Sequence, residues 1–185
     1  MNKAGAQGRS DDTNTIKGRI LRFIPKLLNA GLVPPLSEVT KTGRGFDHPQ
    51  TAFYLMPACW VSEWKKDADG TFCKLKDGQL SISADLMPAF MYQDPDLYNC
   101  LQPYERFAHG HILIHRMTPM LIAYAAAHTQ FALSSTKSWD TEGSDGFNYR
   151  AFVDNIIAAF ENDPDWAKDT LQYWNKHVVS FFIPA

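Results

Sequence analysis

The sequence predicts a mainly α-helical fold, a single-domain helical bundle around a buried central helix at residues 119–134. Thr118 and Pro119 predict the helix start, because a threonine hydroxyl accepts from free backbone N–H groups and a proline in the first helical position forfeits no hydrogen bond. From Met120 to Leu133 such a helix is apolar on nearly every side, which is typical of a helix surrounded by others. A chain of 185 residues is long enough for one sizeable core.

The N-terminal part of the sequence predicts a tail followed by a helix. Residues 1–12 are polar and contain glycine, so we expect a flexible tail, with one helical domain over residues 13–185. Thr13 begins a periodic segment that predicts a helix to about Ala30, in which Pro25 should introduce a kink or a break. The predicted buried stripe of this helix consists of Ile16, Ile20, Phe23, Ile24, Leu27 and Leu28.

Prolines and glycines in the middle of the chain predict long ordered loops, which occupy residues 31–60 and 84–103. Residues 71–75 and 79–83 lie between these loops and alternate apolar and polar side chains, which is typical of strands. An Asp-Gly pair precedes each of the two segments, and such pairs are strong turn signals. We therefore expect one small β-hairpin here.

Two further helices are predicted near the C-terminus. Asn148 can cap the first, and Asp163 or Pro164 opens the second. Residues 140–169 hold eight acidic and two basic side chains. This acidic face could bind the basic first helix, within one chain or between two chains.

Composition and charge narrow the classes of function. The formal net charge of −2 argues against a protein that coats nucleic acid generally. No stretch is apolar over the ~20 residues that span a bilayer, and the N-terminal residues lack a leader's apolar run. We therefore expect an intracellular location, cytoplasmic or nuclear, and no membrane association. Cys59, Cys73 and Cys100 fit neither a zinc pair nor a redox motif, and we expect buried free thiols.

Three histidines before the central helix form the candidate metal site, namely His109, His111 and His115. On a strand all three would share one face, whereas on a helix only His111 and His115 would be neighbours. A zinc or iron site normally takes three protein ligands, often with a carboxylate, and Glu105 is the nearby acidic residue. The alternatives are a polar surface run and a set of hydrogen-bonded histidines.

Seven other residues are candidate binding residues, on a loop, on the first helix and at two further positions. His48 is either a ligand or base presented to a partner or a residue that locks a tight turn, and its place before Pro49 favours the turn. The basic side of the first helix could meet phosphates or an acidic partner, and the alternative is a solvated face. The seven are Asp47, His48, Arg19, Arg22, Lys26, Arg116 and Trp139.

Several groups of residues follow one another as landmarks. They are Gly45 to Thr51, Ile122 to Tyr124 with Phe131 to Ser135, Phe147 to Tyr149 with Phe152, and Trp174 with Asn175. This order resembles a domain of unknown function that is abundant in mushroom-forming (basidiomycete) fungi, often in repetitive or transposon-rich parts of their genomes. The resemblance covers roughly residues 40–179.

The resemblance implies a fungal source and a mostly helical domain. It implies no established activity, cofactor or catalytic residue. The chain departs from the family pattern in two places: the segment between Leu101 and Met117 is shortened, and Trp174 follows Tyr173 where the family tends to have paired tryptophans.

The motifs favour binding over catalysis. The sequence contains no P-loop, dinucleotide fingerprint, nucleophile elbow or HExxH. We predict a non-enzymatic intracellular binding module for a protein or nucleic-acid partner, without a cofactor. One alternative is a metal-dependent or general-base enzyme in which the three histidines hold a divalent metal, with His48 or Glu105 as helper. Another is a homo-oligomeric scaffold built through the apolar residues 180–185.

Overall fold

The chain is mainly helical, which confirms the predicted fold class. The computed structural model describes residues 13–22, 24, 32–91, 116–139 and 146–177. Within these ranges the α-helices are residues 13–19 (α1), Pro49–Leu55 (α2), Val61–Lys66 (α3), Ala68–Lys76 (α4), Pro119–Leu133 (α5), Tyr149–Asn162 (α6) and Pro164–His177 (α7). Short 3₁₀ turns occur at Ile20–Arg22, Gly45–Asp47, Ala58–Trp60 and Ala89–Met91.

Helix α5 lies at the centre of the described fold, as predicted. Thr118 Oγ1 accepts a hydrogen bond from Leu121 N at 3.2 Å, and Pro119 occupies the first turn. The helix packs against α6, α2 and the Ile20–Arg22 turn, and its second half is almost entirely buried. Its first half is not, because Met120 is 57% and Tyr124 36% exposed. The expectation of a helix covered on nearly every side therefore holds only toward its C-terminal end.

The predicted hairpin is wrong, since residues 68–76 form helix α4 and the described residues contain no strand. Asp67 caps this helix, with Oδ1 accepting from Gly70 N at 2.9 Å. Thr71 and Leu75, one helical turn apart, are both buried. Beyond α4 the chain turns at Gly78, whose φ is 68°. The alternating pattern thus coincides with a helical face that packs on the core.

The described residues of the predicted N-terminal helix are helical. Helix α1 passes into the 3₁₀ turn at Ile20–Arg22, and Ile24 is again α-helical. Three residues of the predicted stripe are buried, Ile16, Ile20 and Ile24, and Leu21 joins them. The predicted tail at 1–12, Pro25 and the helix end at Ala30 lie outside the described residues.

Helices α6 and α7 follow the predicted starts. Asn148 Oδ1 accepts from Ala151 N at 2.9 Å, and Asp163 Oδ1 accepts from Trp166 N at 3.0 Å. Helix α6 buries Phe152, Ile156 and Phe160 against α5 and α7. None of the helices within the described ranges is long and apolar enough to cross a membrane.

Candidate functional site

The turn that precedes α2 is fixed by His48. Its Nδ1 accepts from Gln50 N at 3.2 Å, so the proton of the neutral ring lies on Nε2, which donates to Pro34 O at 2.7 Å. The ring is fully buried. Thr51 Oγ1 adds a hydrogen bond of 2.7 Å to Gly45 O. This geometry is that of a residue that locks a tight turn and caps a helix.

Two buried cations hold the C-terminal end of α5. Lys41 Nζ donates to the carbonyl of Phe131 and, at 2.5 Å, to the carbonyl of Thr136. Arg44 Nη1 donates to Ala132 O at 2.8 Å. The carbonyls of Phe131 and Ala132, in the last turn of α5, have no partner inside the helix, and the negative end of the helix dipole favours cations there. The side chains of Lys41 and Arg44 therefore cap the C-terminal end of the central helix.

Arg44 also ties three segments of the chain together. Besides Ala132 O, Nη1 donates to Lys17 O at 3.0 Å in α1, and Nη2 donates to Ser37 O at 2.8 Å. Burial lowers the pKa of Arg44 to about 10, while the carboxylate of Glu38 acts in the opposite direction. The guanidinium is therefore charged at neutral pH, and main-chain carbonyl groups stabilise its charge.

A small cleft lined by both polar and apolar residues opens where the Gly45–Asp47 turn meets the ends of α4 and α5. Its volume is about 100 Å³. The backbones approach closely at one wall, because a Cβ on Gly45 would lie 3.1 Å from Ser135 N. The cleft is lined by Gly45, Phe46, Asp47, Leu55, Lys76, Gln130, Ser134 and Ser135.

The polar groups of this cleft differ in how well they are satisfied. Gln130 is only 2% exposed, and its Oε1 accepts no hydrogen bond from any described residue. Ser134 Oγ is engaged, since it donates to Phe131 O at 3.0 Å. Asp47 and Lys76 are exposed, and neither forms an ion pair with another described residue. The cleft is therefore lined by a buried amide with one unpartnered atom and by one acidic and one basic residue that are both exposed.

An aromatic cluster lies on another part of α5. Trp139 stacks on His128 with ring centres 4.7 Å apart and planes at 20°, and it remains 41% exposed. The Nδ1 of His128 lies 3.2 Å from Thr13 Oγ1, and the ring is buried. His128 is therefore a core histidine that is hydrogen-bonded through Nδ1. Trp139 does not line the cleft.

The structure brings one of the predicted binding residues, Asp47, to the cleft and places His48 directly behind it. Arg22 forms an exposed bidentate pair with Glu38 at 2.6 to 3.1 Å. Arg19 and Arg116 are exposed elsewhere. Lys26 and the histidine cluster, His109, His111 and His115, lie outside the described residues, as does the apolar end of the chain. The metal-enzyme and scaffold alternatives therefore stay predictions.

The described part of the chain contains no group of histidine, cysteine and acidic residues arranged to hold a metal ion. The expectation of buried thiols is wrong for Cys59 and Cys73, which are free and exposed, because each lies on the outer side of a short helical segment. Cys100 lies outside the described ranges.

Most residues of the cleft could not be identified from the sequence. In the sequence, Lys76 is indistinguishable from an ordinary surface residue. The same is true of Lys41 and Arg44, which are buried at the end of α5. Two signals point to the site. The landmark segments 45–51 and 131–135 meet here, and Gln130 is a polar residue that interrupts an apolar helix.

The fold and the cleft define an all-α domain with a small, partly charged pocket. The chain belongs to DUF6698, a family of unknown function, whose family model matches residues 3–116 and 114–179. The match includes both chain segments that form the cleft. Neither a curated protein nor a solved structure matches the chain.

Proposed function

We propose that this domain is a non-enzymatic binding module that recognises a protein partner through the cleft. The observation that carries the proposal is that Gln130, whose buried Oε1 has no hydrogen-bond partner, lines the same cleft as the exposed residue Asp47. A buried acceptor without a donor is unfavourable, and a partner that supplies an N–H group removes that cost on binding. Proteins carry such donors on backbone amides, amines and guanidinium groups.

Charge favours a protein over a nucleic acid as the partner. Phosphates are bound by accessible cations, whereas the residues that line this cleft include one carboxylate, Asp47, and a single cation, Lys76. On the basic first helix Arg22 is paired with Glu38. Lys41 and Arg44 are buried in the fold.

The cleft also favours binding over catalysis. A nucleophile needs an adjacent base, but Ser134 Oγ is bound to backbone groups and both nitrogens of His48 are engaged. Neither Ser134 nor His48 is therefore free to act as a nucleophile or as a base.

An intracellular setting in a basidiomycete fungus belongs to the same proposal. The fungal source rests on the family resemblance of the landmark residues. The intracellular location is supported by Cys59 and Cys73, which are exposed and unpaired. Exposed free thiols persist in the reducing cytosol and nucleus and tend to oxidise outside the cell.

Affinity capture with matched variants tests the proposal. The immobilised wild type is compared with Asp47→Asn and Gln130→Met, and bound proteins are quantified by mass spectrometry. Asp165→Asn, an equal charge change on α7 that does not line the cleft, is the control. We expect a partner that the wild type and the control retain and that both cleft variants lose. Identical captured proteins for all four baits would overturn the proposal.

A further inference from the structure

We propose that Thr118 is a phosphorylation site for a proline-directed protein kinase, and that the phosphate stabilises the start of the central helix. Kinases of this class modify a threonine or serine that a proline follows directly. Thr118 with Pro119 is the only such pair in the 185 residues of the sequence. The proposal does not rest on the proposed function, because Thr118 does not line the cleft.

Thr118 lies at the more accessible end of α5. Thr118 is exposed, and Met120 is 57% exposed. The backbone of Thr118 is extended, with a φ of −128° and a ψ of 157°, and kinases bind their substrates as extended chains. Its hydroxyl is the acceptor in the 3.2 Å bond with Leu121 N, so its own proton is not used there. Met117 N donates to Asn175 Oδ1 at 2.7 Å, and the opening that a kinase needs is therefore the fraying of the first turn of α5.

The chemical step is a phosphoryl transfer from ATP, which the kinase binds together with Mg²⁺. A base on the kinase takes the proton of the Thr118 hydroxyl, and Oγ1 forms a bond to the γ-phosphorus of ATP. The bond from that phosphorus to the oxygen that bridges to the β-phosphate breaks, and ADP leaves. The products are phosphothreonine, ADP and a proton, and no oxidant or reductant takes part.

The main chain at the start of α5 favours a phosphate at this position. Pro119 has no N–H group, and Ile122 N donates to Thr118 O at 3.1 Å. The N–H groups of Met120 and Leu121 therefore have no main-chain acceptor within the helix. Charged phosphate oxygens are stronger acceptors than a hydroxyl, and the positive end of the helix dipole attracts their charge. We therefore expect the phosphate to strengthen the cap that the hydroxyl now provides.

The charges in the neighbouring sequence act in the same direction. Residues 116–127 contain one charged side chain, that of Arg116, and no carboxylate. Arg116 is exposed and forms no ion pair with another described residue. A phosphate on Thr118 therefore meets a cation two residues away and no like charge along this segment. Phosphorylation should stabilise the fold, whereas a phosphate placed among carboxylates is destabilising.

Phosphorylation of the full-length protein in vitro tests the site. The protein is incubated with Mg-ATP and two proline-directed kinases, one cyclin-dependent and one mitogen-activated, and the modified residues are mapped by mass spectrometry. We expect one phosphate, on Thr118. Thr118→Asn keeps a cap and Pro119→Ala keeps the hydroxyl, and we expect neither variant to incorporate phosphate. Ser62 is the internal control, because it is exposed near the start of α3 but precedes Glu63, and it should stay unmodified.

Urea denaturation of the phosphorylated and the mock-treated protein measures the effect on the helix. The unfolding equilibrium constant should be about two- to fivefold smaller in the phosphorylated protein, and about 1 M salt should shrink this difference. Four outcomes would overturn the proposal. They are a wild type that neither kinase modifies, equal labelling of Pro119→Ala, labelling of Ser62 to the same extent as Thr118, and a phosphorylated protein that is no more stable than the mock-treated one.

Discussion

Lys41 and Phe131 contact each other through two different groups. The ammonium of Lys41 donates a hydrogen bond to the main-chain carbonyl of Phe131 and lies 3.4 Å from the centre of its ring. One buried cation thus caps the central helix and forms a cation–π contact with a residue of the same helix. The wall of the cleft depends on this arrangement, because residues 134 and 135 follow directly where α5 ends.

The first prediction concerns the ammonium of Lys41. Lys41→Met keeps most of the apolar stem and removes the donor, which leaves the carbonyls of Phe131 and Thr136 without it. We expect the free energy of unfolding to fall by about 2–3 kcal/mol, as measured by urea denaturation. Lys74→Met on the exposed face of α4 should change it by less than about 0.5 kcal/mol. Equal stability of the two variants would mean that Lys41 does not hold the helix end.

The second prediction separates a structural from a binding role of His48. His48→Ala removes both the cap at Gln50 N and the donor to Pro34 O, and we expect a loss of about 2–3 kcal/mol in unfolding free energy. His48→Asn restores an acceptor for the cap and should recover about 1 kcal/mol of that loss. Urea denaturation measures both. A stable His48→Asn protein that loses its captured partner would instead favour the binding role.

The helix starts could be predicted because their signals are local. Thr118 and Asn148 each accept from a backbone N–H three residues ahead, and such caps depend on neighbouring residues alone. The segment 71–75 could not be assigned in the same way. Its pattern fits a strand as well as a helix, and the helix forms because Thr71 and Leu75 are both buried in the core.

Fewer features of the site than of the fold could be predicted, because the site consists of residues that are far apart in the chain. Gly45 meets Ser135, and Lys41 reaches past the end of α5 to Thr136. No spacing in the sequence encodes these pairings. That Gln130 is unpartnered is likewise a property of the packed structure. The turn at residues 45–51 and the polar residue in an apolar helix could be identified in the sequence. That the two come together in the fold could not be predicted.

The third prediction uses two glycines with similar backbone angles. Gly45 and Gly78 have φ values of 75° and 68°, a region that L-residues rarely adopt. A Cβ on Gly45 would lie 3.1 Å from Ser135 N, whereas a Cβ on Gly78 meets nothing within 4 Å. We expect Gly78→Ala to cost about 1–2 kcal/mol of unfolding free energy and Gly45→Ala at least about 1 kcal/mol more.

Urea denaturation of both glycine variants measures this difference directly, since the backbone cost is common to the two and cancels. Gly45→Ala should also shift the amide resonance of Ser135, and Gly78→Ala should not. If the two variants lost the same unfolding free energy and the amide resonance of Ser135 did not shift in Gly45→Ala, the backbone at Ser135 would accommodate the added methyl group without a measurable loss of stability.

The last prediction concerns pH and the exposed pair of Arg22 and Glu38. The hydrogen bond from Arg22 lowers the pKa of Glu38; desolvation opposes it, and the charges of Arg22 and Arg44 act in the same direction as the hydrogen bond. A carboxylate whose pKa is lower in the folded state contributes stability above its unfolded pKa. That contribution is lost as the pH falls through the lowered folded value. The pair should therefore stabilise the fold at neutral pH and cease to do so in acid.

Glu38→Gln removes this titration, so the wild type should lose more stability than the variant between about pH 7 and about pH 3. The measurement is the urea midpoint at both pH values. Glu161→Gln, whose carboxylate forms no ion pair with a described residue, should retain the wild-type pH dependence. Both partners are solvent-exposed, so roughly 1 M salt should shrink the difference between wild type and Glu38→Gln. The same acid loss in both proteins would show that the pair does not couple pH to folding.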